Sequence, residues 1–287
     1  MKRRFFGGGF TLLELLIVMA VIAIGLFLPA MGRTCGGSSR QLRDSTQVRG
    51  IHQALVTWAQ SHKDRYPIPS LLDVNNATVA DLGTAKDHTA NILSPLVFNG
   101  SMSPEILISP AEASGKIHLK EDYEYDSPKA AADPKDALWD PSLSADFTSA
   151  AGGHISYAHL CPTAKSAERW ANTFSASEVV IGSRGQEVRS VTQLADGTVI
   201  PTFARSDSIT LLIHGSRTKW EGNIAFNDNH VEFMTQPKVG TYIDGGGKPR
   251  EDLVFYDEPD DAAGTNAFLG IFTTAGPTRA AFKSIWD

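Results

Sequence analysis

The first 31 residues constrain this chain more than any others. Lys2, Arg3 and Arg4 are followed by Gly7-Gly8-Gly9 and then by Phe10 to Met31, an apolar stretch interrupted by Thr11, Gly25 and one acid, Glu14. Those 22 residues make a helix of about 33 Å, enough to cross a hydrocarbon core of ~30 Å. The stretch is apolar on all sides, a pattern that suits lipid and not the surface of a globular domain. A carboxylate near the start of such a helix costs free energy, about 2.5–3.5 kcal/mol at a helix centre and less near an end. Glu14 therefore needs a reason.

Two readings leave Glu14 without one. A secretory signal has a basic start and a small-residue cleavage site, for which Ala30-Met31-Gly32 would serve, but the apolar run exceeds the usual length. A plain one-pass anchor is oriented by its basic flank, yet Arg33, Arg40, Arg43 and Arg49 balance Lys2-Arg3-Arg4 across the span.

Gly9-Phe10-Thr11-Leu12-Leu13-Glu14-Leu15-Leu16 resembles the processing site of type IV prepilins and type II secretion pseudopilins. The resemblance implies a leader, residues 1–9, cut between Gly9 and Phe10 by a prepilin peptidase. It also implies N-methylation of Phe10, Glu14 as the fifth mature residue, and Pro29 where such helices carry a proline. In a stack of subunits the Glu14 carboxylate can be neutralised by a neighbour's α-amino group. The implied location is the bacterial inner membrane, spanned once, with the C-terminal domain in the periplasm or in an extracytoplasmic filament. The implied partners are the peptidase, the membrane and other pilin or pseudopilin subunits. The competing class is a membrane-anchored extracytoplasmic binding module or enzyme that only shares the leader.

Beyond the span, Gly36-Gly37 predicts a fray or bend where a helix leaves the membrane. Val48, Ile51, Leu55, Trp58 and Ala59 then fall on one helical face, which predicts a helix over about 40–63 ended by Tyr66-Pro67. The expected fold is α+β and pilin-like: a long N-terminal helix, its first half (10–31) transmembrane, its second half packed on an antiparallel sheet. The expected division is 1–9 leader, 10–31 membrane and filament-core helix, 32–239 periplasmic domain and 240–287 C-terminal extension. Residues 90–98 and 104–108 read as either short helices or strands. Residues 121–146 carry eight acids and three prolines and read as a solvated insertion. Strands are expected at 155–160, 178–181 and 208–214. The sharpest strand signal is a hairpin, Asn223 to Phe226 and His230 to Met234, around Asn227-Asp228-Asn229. Residues 262–286 carry scattered apolar residues able to dock back on the sheet.

The hairpin carries a second resemblance, to the C-terminal His, nine residues, Asp-Gly signature of bacterial proteins with prepilin-type leaders. Arg217, Asn223, Phe226, Asp228, His230 and Val231 match it. Thr218 replaces the histidine and Asn229 the glycine.

Composition excludes other classes. The chain has 287 residues and net charge −6, and removal of residues 1–9 leaves 23 basic against 32 acidic residues, −9. That balance argues against a nucleic-acid partner. Two cysteines, Cys35 and Cys161, exclude a disulfide scaffold. There is no Gly-x-Ser-x-Gly, Walker loop, His-Glu-x-x-His or dinucleotide fingerprint, so no catalytic residue is assigned and the chain reads as a non-enzyme. Asp228 reads as a turn cap and His230 as a surface residue. No cofactor is assigned. The resemblance to major pseudopilins, which hold Ca²⁺ in a C-terminal loop, makes Asp244, Asp257, Asp260 and Asp261 the candidate metal ligands, against the plainer reading of a solvated acidic loop.

Overall fold

A computed structural model describes residues 12, 15–19, 35–194, 196–261 and 263–287, without the side chains of 35–38, 164 and 165. The chain divides into two units, residues 1–40 and 41–287. In the first, residues 12 and 15–19 are helical, with exposed side chains. Among the described residues no helix is long and apolar enough to cross a membrane. Most of the 10–31 stretch lies outside those residues.

The helix α1 runs over Cys35–Ser61. It starts earlier than expected and takes Gly36-Gly37 into its helical backbone, where a fray was expected. Lys63 and Asp64 both adopt left-handed φ, 57° and 60°, and the Asp64 N–H bonds back to Ala59 O at 3.0 Å. These two residues end the helix, ahead of Pro67. Val48, Ile51, Leu55 and Ala59 are fully buried, as their spacing requires. Burial of each large aliphatic side chain contributes about 1.5–3 kcal/mol.

The remaining helices are short. α2 spans Pro69–Leu72 and α3 spans Thr89–Phe98, almost entirely buried. Pro104–Leu107 is a 3-10 turn, so both segments left open between helix and strand are helical.

The main sheet has five strands: β1 (Tyr157–Leu160), β2 (Val179–Ser183), β5 (Gly222–Phe226), β6 (Val231–Met234) and β9 (Leu269–Gly270). Its order is β6-β5-β2-β1-β9, antiparallel throughout. At its centre a Cβ on Gly182 would lie 2.7 Å from the Asn223 carbonyl, so the β2–β5 approach requires glycine. Among the described residues, three two-stranded ribbons complete the β structure: β3 (Val188–Gln193) with β4 (Val199–Phe203), β7 (Lys238–Ile243) with β8 (Pro249–Leu253), and β10 (Phe272–Thr274) with β11 (Lys283–Ser284). The stretch 262–286 therefore does return to the sheet, through β9.

Two expectations are corrected. Residues 208–214 are not a strand. Ser208 accepts from the Thr210 N–H and starts a 3-10 turn, Ile209–Leu212. Nor is 121–146 a solvated insertion. Its acids at 121, 122, 126, 133 and 136 are exposed, but Tyr123, Trp139, Leu143 and Ala145 are buried in the core. The Trp139 indole donates to Asn91 Oδ1 at 3.0 Å, and Tyr123 OH bonds Ser94 of α3. Aromatic anchoring outweighs the charge of the segment.

Candidate functional site

The buried face of α1 begins with a carboxylate. Asp44 lies one turn before Val48 and is fully buried. It accepts from Ser109 Oγ (2.5 Å), Tyr157 OH (2.8 Å), Asn223 Nδ2 (2.6 Å) and Ser183 Oγ (3.3 Å). His214 Nε2 is 3.4 Å from its Oδ2. One helix side chain thus gathers donors from β1, β2, β5 and the loop at Ser109. Burial alone pushes the Asp44 carboxyl up, but His214, Ser109 and Asn223 together hold it below its usual value. Burial, and next the Asp44 charge, push the Tyr157 hydroxyl far up. Sequence reasoning missed Asp44. Its signal was an acid in register with the apolar stripe.

The hairpin turn makes the second attachment of α1. Asn229, at φ 70°, closes the turn and meets His52 Nδ1 through Oδ1 at 3.0 Å. His52 Nε2 lies 3.2 Å from Tyr66 OH, which donates to Asn227 Oδ1. Asn227 Nδ2 donates to Ala171 O at 2.8 Å. Burial lowers the His52 pKa, which favours a neutral ring. Of the residues in the C-terminal signature, Asn223 holds Asp44, Phe226 stacks on His230 at 4.3 Å, and Asp228 caps the turn by accepting from the His230 N–H. Arg217 takes φ 64°, and Thr218 is exposed. These arrangements fix the helix on the sheet. Their chemistry is hydrogen bonding.

The candidate metal ligands are all engaged internally. Asp244 accepts from the Gly246 and Lys248 N–H groups and from Arg250 Nε. Asp260 accepts from Tyr242 OH, and Asp261 from the Gly264, Thr265 and Asn266 N–H groups. Asp257 lies 3.2 Å from Arg279 Nε. Among the described residues no three His, Cys, Asp or Glu side chains form a set able to hold a metal ion.

Asp257 and Asp261 do line a cavity of about 250 Å³, between the chain after β1 and the loop before β9. Its walls include Arg169, Glu258, Asn266 and Arg279. Burial pushes the Glu258 carboxyl up to about 9, with nearby Asp252, itself raised to about 7, adding to the shift. Cys161, also on the wall, is a free, buried thiol pushed up to about 12 by burial. His159 is buried behind it, its Nε2 2.9 Å from Thr89 Oγ1, with a pKa lowered by burial to about 4. His154 precedes β1 and packs on His118, ring centroids 5.0 Å apart.

Gly9, Phe10, Glu14 and Pro29 lie outside the described residues, as does the Cys35 side chain. No curated protein and no solved structure matches the chain. A family model of the prokaryotic N-terminal methylation motif matches residues 8–28, and its match does not reach the C-terminal signature. The chain therefore bears the prepilin-type signature at residues 8–28, that of a prepilin-like protein processed by a peptidase.

Proposed function

We propose that this chain is a pilin-like or pseudopilin subunit of a type II secretion or type IV pilus-like filament. The methylation motif over residues 8–28 carries the reading. Prepilin peptidase cuts after Gly9, and Phe10 becomes the methylated terminus. The apolar segment 10–31 anchors the subunit in the inner membrane, with the domain beyond it extracytoplasmic, until extraction into a filament core. There, helix packing replaces lipid contact. Glu14 sets the register by meeting a neighbour's α-amino group, a pairing favoured in a low-dielectric core. The mechanism is assembly and involves no turnover. The α+β fold, with α1 fixed on an antiparallel sheet through Asp44 and His52, is consistent with such a subunit.

Intact mass and N-terminal sequencing of the protein from its native membrane test the processing step. A methylated Phe10 start is expected, and a start after Gly32 or an uncut Met1 refutes the reading. Glu14→Ala is expected to leave the folded domain intact and abolish assembly. Normal assembly of that variant would overturn the role given to Glu14.

A further inference from the structure

Where α1 ends, an open apolar groove of about 430 Å³ lies between Trp58 on its last turn and Ile68, Leu71 and Leu72 at α2. Trp58 is half-buried, its ring stacked on His62 with centroids 4.0 Å apart. Leu71 is 66% exposed, so the groove keeps apolar surface that its own chain leaves uncovered. The volume falls within the roughly 300–1,000 Å³ of concave sites that take up a compact group. Lys63 and Arg65, both exposed, stand at its edge. Among the described residues neither forms an ion pair, and no acidic side chain lines the groove. Asp64, exposed between them in the chain, is not on its wall.

An occupant matched to this surface presents an apolar or aromatic side chain with carboxylates beside it. The same chain carries such a group. Residues 121–127 read Glu-Asp-Tyr-Glu-Tyr-Asp-Ser. Tyr125 is 52% exposed and packs on the buried Tyr123, ring centroids 4.9 Å apart. Tyr123 is held by Ser94 of α3, and the Glu124 N–H donates to Asp140 at 2.9 Å. Tyr125 therefore stands on a fixed backbone and gives up little freedom on docking. Asp122 and Glu124 pair with Lys120 and Lys129, whereas Glu121 and Asp126 are exposed and, among the described residues, have no cation partner. Phe174 is more exposed, 72%, but its neighbours Asn172 to Ser177 carry no charge to meet Lys63 and Arg65. Two free cations beside an apolar groove thus match two free acids beside a tyrosine. The two patches differ, so the contact is heterologous: each copy gives its tyrosine to one neighbour and its groove to another. Contacts of that kind build rings or open helical arrays, not closed pairs. We propose that the groove at the end of α1 receives Tyr125 of a second copy of this chain, with Lys63 and Arg65 set against Glu121 and Asp126. The proposal deepens the filament reading and rests on it. A contact this small is weak alone and is reinforced where helix packing already holds the copies together.

The test mixes two differently tagged full chains in detergent, both Cys35→Ser. One carries Ser61→Cys on the groove wall and the other Ser127→Cys beside Asp126. A short bismaleimide is expected to join them into a mixed dimer. Tyr125→Ala in the second chain should lower the yield about tenfold or more, as truncation of an aromatic anchor does. Lys63→Glu with Arg65→Glu should lower it as well, and Glu121→Lys with Asp126→Lys on the other chain should restore it, a rescue that a folding defect cannot give. A yield no greater than that with Asp207→Cys, an exposed site on neither patch, in place of Ser127→Cys overturns the proposal. So does a yield that survives Tyr125→Ala, or one that falls with Phe174→Ala instead. Glu14→Ala is expected to cross-link as the unaltered chain does. Assembled filaments without the cross-link would leave the filament reading standing and remove this contact, and a cross-link in a chain that starts at an uncut Met1 would do the reverse.

Discussion

Replacing Asp44 with alanine removes one acceptor from four buried donors. Each such hydrogen bond is worth about 1 kcal/mol net, so complete loss of all four costs about 4 kcal/mol. Two of the four have some relief. Tyr157 OH also bonds Gln47 Oε1 at 3.0 Å, and the Ser183 bond is the longest of the set at 3.3 Å. Asn223 and Ser109 remain, which sets a lower bound of about 2 kcal/mol. The expected destabilisation is therefore about 2–4 kcal/mol. Asp44→Asn keeps the shape and one acceptor oxygen and should cost less. Urea unfolding of the full chain in detergent, followed by tryptophan fluorescence, measures both. Trp139, Trp170 and Trp220 are each at most 1% exposed, so unfolding moves all three into water. A loss under about 1 kcal/mol for Asp44→Ala would refute the clamp, because unsatisfied buried donors cost at least that much.

Three further outcomes follow from the same structure. His159 is held neutral down to about pH 4, against an ordinary value of 6.5, so its contribution is complete above pH 6.5. That contribution is lost as pH falls to about 4, a loss of roughly 3 kcal/mol at 1.36 kcal/mol per unit. Asp252 and Glu258, with raised values, gain stability over the same fall, so the effect is read as the difference between the unaltered chain and His159→Phe. Gly182→Ala drives a methyl group against the Asn223 carbonyl and Ile224 and should lower stability by about 1–3 kcal/mol in urea unfolding. In a Cys35→Ser chain, maleimide at pH 8 should leave Cys161 unlabelled until denaturant is added, since its thiol is 1% exposed and raised to about 12.

Periodic features were legible in the sequence. The stripe from Val48 to Ala59 marked the buried face of α1, and alternation around Asn227-Asp228-Asn229 marked the hairpin, including a left-handed Asn229. The features missed are those without a period. Tyr123 and Trp139 sit among exposed acids, and nothing in their spacing shows that they reach α3. The run 208–214 is apolar enough for a strand, but the Ser208 cap turns it. Ribbons β3–β4 and β7–β8 carry charged and polar residues and gave no strand signal. The cavity was half visible. Asp257 and Asp261 stood out as acids, but Arg169 reaches them across some 90 positions, and only the fold joins the two.

The Asp44 cage also has a mechanical consequence. A slip of α1 by one turn along its axis, about 5.4 Å, would put Val48 or Arg40 where Asp44 stands. Valine offers no acceptor, and arginine would set donors against the donors of Ser109, Tyr157 and Asn223. Neither neighbouring notch has a resting place, so an axial pull on the helix meets a lock and not a smooth apolar slide. The domain should hold its helix at one setting under load and let go abruptly when the cage opens.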